Sequence, residues 1–222
     1  MRRADRPVPI HCLPPGSALL ALVAIVGFTG ANPRTDPVAA ACAQRNPSLD
    51  QYTFDMNVAL RMRHLPWLGF RMTGTGEYVR GRTHVVRFDR MPFGAAAHQV
   101  DLSPLDPCMW PKSYVAVPLA SRDGMATFDL HPRTVDPQDK NPLVDALVSL
   151  DAGDSTRRVL LSYAHGSIAL ALTPQSIGAY RLPSSADVDI NMPGESLSGH
   201  ADLTNYSIAS TAAGASGVGR RK

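Results

Sequence analysis

Residues 51–90 read QYTFDMNVALRMRHLPWLGFRMTGTGEYVRGRTHVVRFDR, and the fold follows from them. Phe54, Met56, Val58, Leu60 and Met62 alternate with Thr53, Asp55, Asn57, Ala59, Arg61 and Arg63. Successive strand side chains point to opposite faces, so this strict period of two is a strand with one oily and one wet face. A second strand over about 67–79 places Leu68, Phe70, Met72, Gly74, Gly76 and Tyr78 on one face. Its glycines point to a bend or bulge that curves the sheet. Arg80-Gly81 makes a turn, and a third strand over about 82–90 sets Val86 and Phe88 together. Three antiparallel strands in sequence form a meander whose apolar face must be covered.

Outward from that meander, 36–46 (DPVAAACAQRN) predicts a short helix. Asp36 can cap it and Pro37 suits its first turn. Residues 92–112 (PFGAAAHQVDLSPLDPCMWPK) break the alternation with four prolines, which predicts short helical turns, no strand, and a binding loop or lid. Alternation resumes at about 113–119, 125–131, 143–151, 157–164, 167–173, 186–191 and 197–208. In the last of these, Leu197, Gly199, Ala201, Leu203 and Asn205 are expected on one face, with Tyr206 opposite. The total is about ten strands in up-and-down order. The fold class expected is mainly β with few helices: a curved antiparallel half-barrel lidded by short helices.

The 222 residues carry 19 Pro, 17 Gly and 18% charged side chains, which favours one β domain over two. A body of this size buries roughly 70% of its unfolded surface and needs no staple. The net charge of +3 comes from the ends. Residues 1–31 contribute +2 and Arg220, Arg221 and Lys222 contribute +3, leaving the body near −2. A nucleic-acid binder concentrates positive charge on a folded face, so none is expected as a partner.

Arg2, Arg3 and Arg6 precede an apolar run, GSALLALVAIVGF, at 16–28, followed by Thr29, Gly30 and Ala31. That is the layout of an export signal over 1–31; an uncleaved anchor is the alternative. Either places the body (32–208) in the periplasm or otherwise outside the cytoplasm. Residues 209–222 are expected to be a disordered tail. Cys42 and Cys108 can then form a disulfide in an oxidising compartment, or remain two buried thiols. Val38-Ala39-Ala40-Ala41-Cys42 also loosely resembles a lipidation box, set too far behind the apolar run.

Catalytic signals are sparse. The chain contains no HxH, HExxH or CxxC, and no metal or cofactor is expected. Gly194-Glu195-Ser196-Leu197-Ser198 lacks the final glycine and the strand-to-helix setting of a nucleophile elbow, and reads as a turn. Gly74-Thr75-Gly76 lies inside a strand and is no phosphate loop. Asp187 and Asp189 share a polar strand face.

The stretches PSLDQYTFDMNVAL (47–60), DLSPLDPCMWPKSY (101–114), VSLDAGDSTRRVLLSYAHGSIALAL (148–172) and LPSSADVDI (182–190) follow one another in a familiar order. Over about 36–208 that order resembles the bacterial outer-membrane lipoprotein carrier (LolA-like) family. The resemblance implies a helix-lidded half-barrel around an apolar cavity for acyl chains, with membrane-associated donor and acceptor proteins as partners. It also implies an arginine near the cavity mouth that holds the closed state, for which Arg61, Arg63 and Arg71 are candidates by location. The expected protein is a monomeric, non-enzymatic lipid carrier. Its cavity would be lined by Phe54, Met56, Val58, Leu60, Leu68, Phe70, Met72, Val86 and Phe88. Trp67 and Trp110 would sit at the mouth, rings inward and N–H to water. The competing reading is a cell-envelope structural or interaction module whose β core is simply filled.

Overall fold

A computed structural model of the chain describes residues 36–89, 99–121 and 123–209. The expected leader and the tail beyond 209 lie outside them. Helix α1 spans Pro37–Gln44; Asp36 accepts a hydrogen bond from the Val38 N–H, and Pro37 opens the first turn. Strands β1 (Gln51–Met62), β2 (Gly69–Val79) and β3 (Thr83–Phe88) form the meander. They are followed by β4 (Gln99–Asp101), a 3-10 turn (Ser103–Leu105) and helix α2 (Trp110–Ser113). The rest is β5 (Tyr114–Pro118), β6 (Ala126–Pro132), β7 (Leu143–Leu150), β8 (Thr156–Tyr163), β9 (Gly166–Ile177), β10 (Tyr180–Met192) and β11 (Glu195–Ala209).

All eleven strands belong to one antiparallel sheet in the order β4-β3-β2-β1-β11-β10-β9-β8-β7-β6-β5. Pairing β1 with β11 puts the first and last strands at the middle of the sheet. The two edges are therefore β4 and β5, which are consecutive in sequence. Residues 102–113 must run from one edge to the other. They do so across the inner face, where the 3-10 turn touches β3, β7 and β8. The sheet is a half-barrel with the connection of its own edges as part of its cover.

Four expectations need correction. The segment 92–112 does hold a strand, because Val85–Arg87 offers a free edge that Gln99–Asp101 completes. Gly74 and Gly76 make no bulge, since β1 and β2 pair without a break from Gln51↔Val79 to Arg61↔Gly69. Gly76 instead gives up its side chain to the Phe54 ring, which a Cβ there would meet at 2.0 Å. Strands β9 and β10 run through Pro174 and Pro183, which face each other beside an irregularity in register. Finally, β11 changes phase after Leu203. Asn205 takes a left-handed φ of 51° and the register with β1 shifts between Thr53 and Asp55. The bulge turns Asn205 outward, where its amide donates to Asp55, and Tyr206 is set inward.

Cys42 and Cys108 are joined by a disulfide, tying α1 to the edge-to-edge connection. The Cys42 sulfur is thus bonded to protein.

Candidate functional site

The inner face of the sheet encloses a cavity of about 450 Å³. This lies within the range of about 300–1,000 Å³ typical of small-ligand sites. One wall is β1–β3: Phe54, Met56, Val58, Leu60, Met72, Val86 and Phe88. The opposite wall is β8–β11, with Val159, Leu161, Ile168, Leu170, Leu172, Val188, Ile190, Leu197 and Leu203 among its residues. Leu102, Pro104 and Leu105 complete the lining from the connection. Strand alternation accounts for each wall: Val159/Leu161, Ile168/Leu170/Leu172 and Val188/Ile190 all step by two.

Polar groups stand at the margins. Where β1 begins, Arg45 and His84 line the cavity, and both are largely buried. The Arg45 guanidinium donates to the Leu105 carbonyl and to Thr156 Oγ1 (3.3 Å), and pairs at 3.9 Å with the fully buried Asp106. Burial, with the Arg45 charge nearby, pushes His84 down to about 3, so its ring is neutral at physiological pH. Tyr52 and Tyr78 stack at 4.7 Å beneath this cluster. Desolvation pushes Tyr78 up to about 12 and raises Tyr52 further. Where β1 ends, the exposed Glu195 lines the cavity, which therefore reaches the surface on that side.

Arg80 fastens the cover. Its guanidinium donates to the carbonyls of Cys42 (3.2 Å), Arg45 (3.1 Å), Leu49 (2.9 Å) and Asn46. Cys42 lies in the last turn of α1, where carbonyls lack an intrahelical partner; Arg45, Asn46 and Leu49 follow the helix on the way to β1. Arg61, Arg63 and Arg71 do not play this part. They are exposed, and Arg63 pairs with Asp189 at 2.5 Å. The residues that bind the cover are Arg45 and Arg80, adjacent to α1 and to the β2–β3 turn.

Of the residues expected in the cavity, seven line it, and Leu68, Phe70, Trp67 and Trp110 do not. Leu68 precedes β2 and is 39% exposed, and Phe70 packs against the core at the strand end. Trp67 is 81% exposed on the β1–β2 loop, with its ring outside the cavity. Trp110 is not at a mouth but fully buried, its indole N–H donating to the Pro104 carbonyl (3.0 Å) and its ring 5.0 Å from Phe128. A proline-rich connection leaves its carbonyls unpaired, and a buried indole is a fitting donor to one of them.

The catalytic candidates remain scattered. Gly194, at φ 81°, makes the β10–β11 turn. Asp187 and Asp189 are exposed on the outer face and pair with His200 and Arg63. Among the described residues, no group of three His, Cys, Asp or Glu side chains is placed to hold a metal ion. No helix among them is long and apolar enough to cross a membrane.

An open antiparallel half-barrel with an apolar interior and a cover supplied by its own chain defines a class of β fold. Within it, the chain is similar in fold to several solved structures. It superposes on a LolA superfamily protein of Nitrosomonas europaea with a TM-score of 0.53 at 8% identity, covering 78% of this chain and 92% of the other. A domain assigned to outer membrane lipoprotein sorting in Vibrio parahaemolyticus matches at 0.52 and 11% identity, over 79% and 92% of the two chains. A DUF1329 family protein of Desulfovibrio piger matches at 0.53 and 9% identity, over 82% and 96%. No family model and no curated protein sequence matches the chain.

Proposed function

We propose that the protein is an exported, non-enzymatic carrier that holds a lipid acyl chain inside the half-barrel. The observation that carries this reading is the apolar cavity of about 450 Å³ beneath the edge-to-edge connection. At roughly 30 Å³ for a water-sized group, the space takes on the order of fifteen such groups, enough for one acyl chain. Each methylene transferred from water contributes about 0.8 kcal/mol. Export is supported by the arginines and apolar run within 1–31, which have the layout of an export signal, and by the disulfide, which suits an oxidising compartment. The similarity in fold to a lipoprotein-sorting domain supports the cargo class. A cavity of this size favours a carrier over a module with a filled core.

Native mass spectrometry and solvent extraction of the purified protein test the proposal. The expected result is a co-purifying single-chain or acylated lipid, released on unfolding. Protein that emerges empty and takes up no fluorescent fatty acid would contradict it.

A further inference from the structure

Between Asp55 and Glu77 the sequence holds no acidic residue, although the body as a whole is slightly acidic. The structure gathers this stretch at one corner, where β1 ends and β2 begins. The connecting loop exposes three bulky apolar side chains: Leu65 (38%), Trp67 (81%) and Leu68 (39%). Arg61 and Arg71 stand beside them on the outer face, diagonal neighbours in the β1–β2 pairing that sets Ala59 against Arg71 and Arg61 against Gly69. Neither takes part in an ion pair among the described residues; Arg63 is matched by Asp189. The loop is held in place by the Met62 N–H to the Leu68 carbonyl (3.1 Å) and the Arg63 N–H to the Ser196 carbonyl (2.8 Å).

Exposing a tryptophan and two leucines to water has a cost, and nothing in the fold requires it. Tryptophan and arginine together suit one surface in particular. An indole settles at the boundary of headgroups and acyl chains, while guanidinium groups meet the phosphates beside it. We propose that the 63–68 loop is a membrane-docking tip that inserts Trp67, Leu65 and Leu68 into the interfacial region of an anionic bilayer, with Arg61 and Arg71 on its headgroups. Its position fits such a role. The loop joins the two strands whose inner faces carry Leu60 and Met72 into the cavity, and it lies beside Ser196, next to the exposed cavity residue Glu195. Docking there brings the cavity's exposed margin against the bilayer.

The chain has two tryptophans, which makes the test specific. Trp110 is fully buried, so a change in emission on adding vesicles reports Trp67. Protein purified from cells expressing the full chain is mixed with vesicles of phosphatidylcholine alone, or with phosphatidylglycerol, carrying brominated acyl chains. The expected result is a blue shift and quenching with the anionic vesicles, and far less with the neutral ones. Trp67→Phe emits from Trp110 alone and is not quenched. Trp67→Ser weakens vesicle partition about tenfold or more. Arg61→Gln and Arg71→Gln weaken it about fivefold each at low salt. The melting temperatures of the Ser and Gln variants should match the parent, because all the substituted positions are exposed.

The proposal is overturned if Trp67 emission is unchanged at saturating vesicles. Equal response to neutral and anionic vesicles overturns it too, as does self-association abolished by Trp67→Ser, which would assign the patch to a second copy. Empty vesicles are used, so the result is independent of cargo. An empty cavity with intact Trp67 quenching defeats the carrier reading alone.

Discussion

His84 is a buried imidazole against the cover, and its titration couples folding to pH. In the unfolded chain it takes a proton near 6.5, and in the folded protein only near 3. As pH falls below 6.5 the unfolded state binds a proton that the native state refuses, so stability declines across 6.5 to 3 by up to about 1.4 kcal/mol per pH unit. His84→Phe keeps an aromatic ring and removes the titration, so its acid unfolding midpoint should lie at lower pH; an unchanged acid profile would contradict this. His200 behaves oppositely. Its hydrogen bond to the Asp187 carboxylate raises its pKa, so its contribution is present below 6.5 and is lost as pH rises through the folded value. The pair is exposed and its effect on stability small. Asp187→Asn should lower the His200 titration midpoint seen by NMR. Neither role was legible from composition, because a lone histidine in a strand carries no sign of what it will face. Seven cavity residues of β1–β3 were legible, because alternation alone assigns their face. Trp110 was not, since its partner is a backbone carbonyl of the proline-rich connection.

The cover is an element held by point contacts. Arg80 bonds the Cys42 carbonyl in the last turn of α1 and the Arg45 carbonyl just after it, and hydrogen bonds from a charged donor contribute about 1.5–3 kcal/mol. Arg80→Ala should lower stability by about 2–3 kcal/mol and speed amide exchange over 42–49 more than in β9 or β10. The disulfide closes a sequence separation of 66 residues, so Cys42→Ser with Cys108→Ser should cost about 4 kcal/mol in urea unfolding. Equal midpoints for the parent and the double variant would show that α1 is held without it. Elements differed in how well the sequence announced them. β1, β2 and α1 were plain from alternation and from the Asp36-Pro37 cap. β4 was hidden because three exposed residues in a proline-rich segment have no period, and only the β3 edge makes them a strand. The ends of β9 and β10 were hidden by Pro174 and Pro183, which the paired irregularity accommodates. Both edges of the sheet are blunt, β4 by its three residues and β5 by its five residues ending at Pro118, which limits edge-to-edge pairing with other copies.

At the scale of the molecule, the pairing of β1 with β11 turns eleven strands into a vessel. It brings the apolar faces of β8–β11 opposite those of β1–β3, a relation no single segment encodes. That is why the far wall of the cavity was missed, although Ile168, Leu170 and Leu172 alternate as plainly as Phe54, Met56 and Val58. The central claim is that the enclosed space is a binding site and not packing left incomplete. Val188 lines it from the middle of β10, and Val188→Trp would fill it from within. Titration of a fluorescent long-chain fatty acid against the parent and Val188→Trp, with melting temperatures measured alongside, tests this directly. The expected results are saturable binding to the parent, loss of that binding in Val188→Trp, and a melting temperature that is unchanged or higher in the variant. Binding that survives the substitution, or its absence from the parent, would contradict the claim.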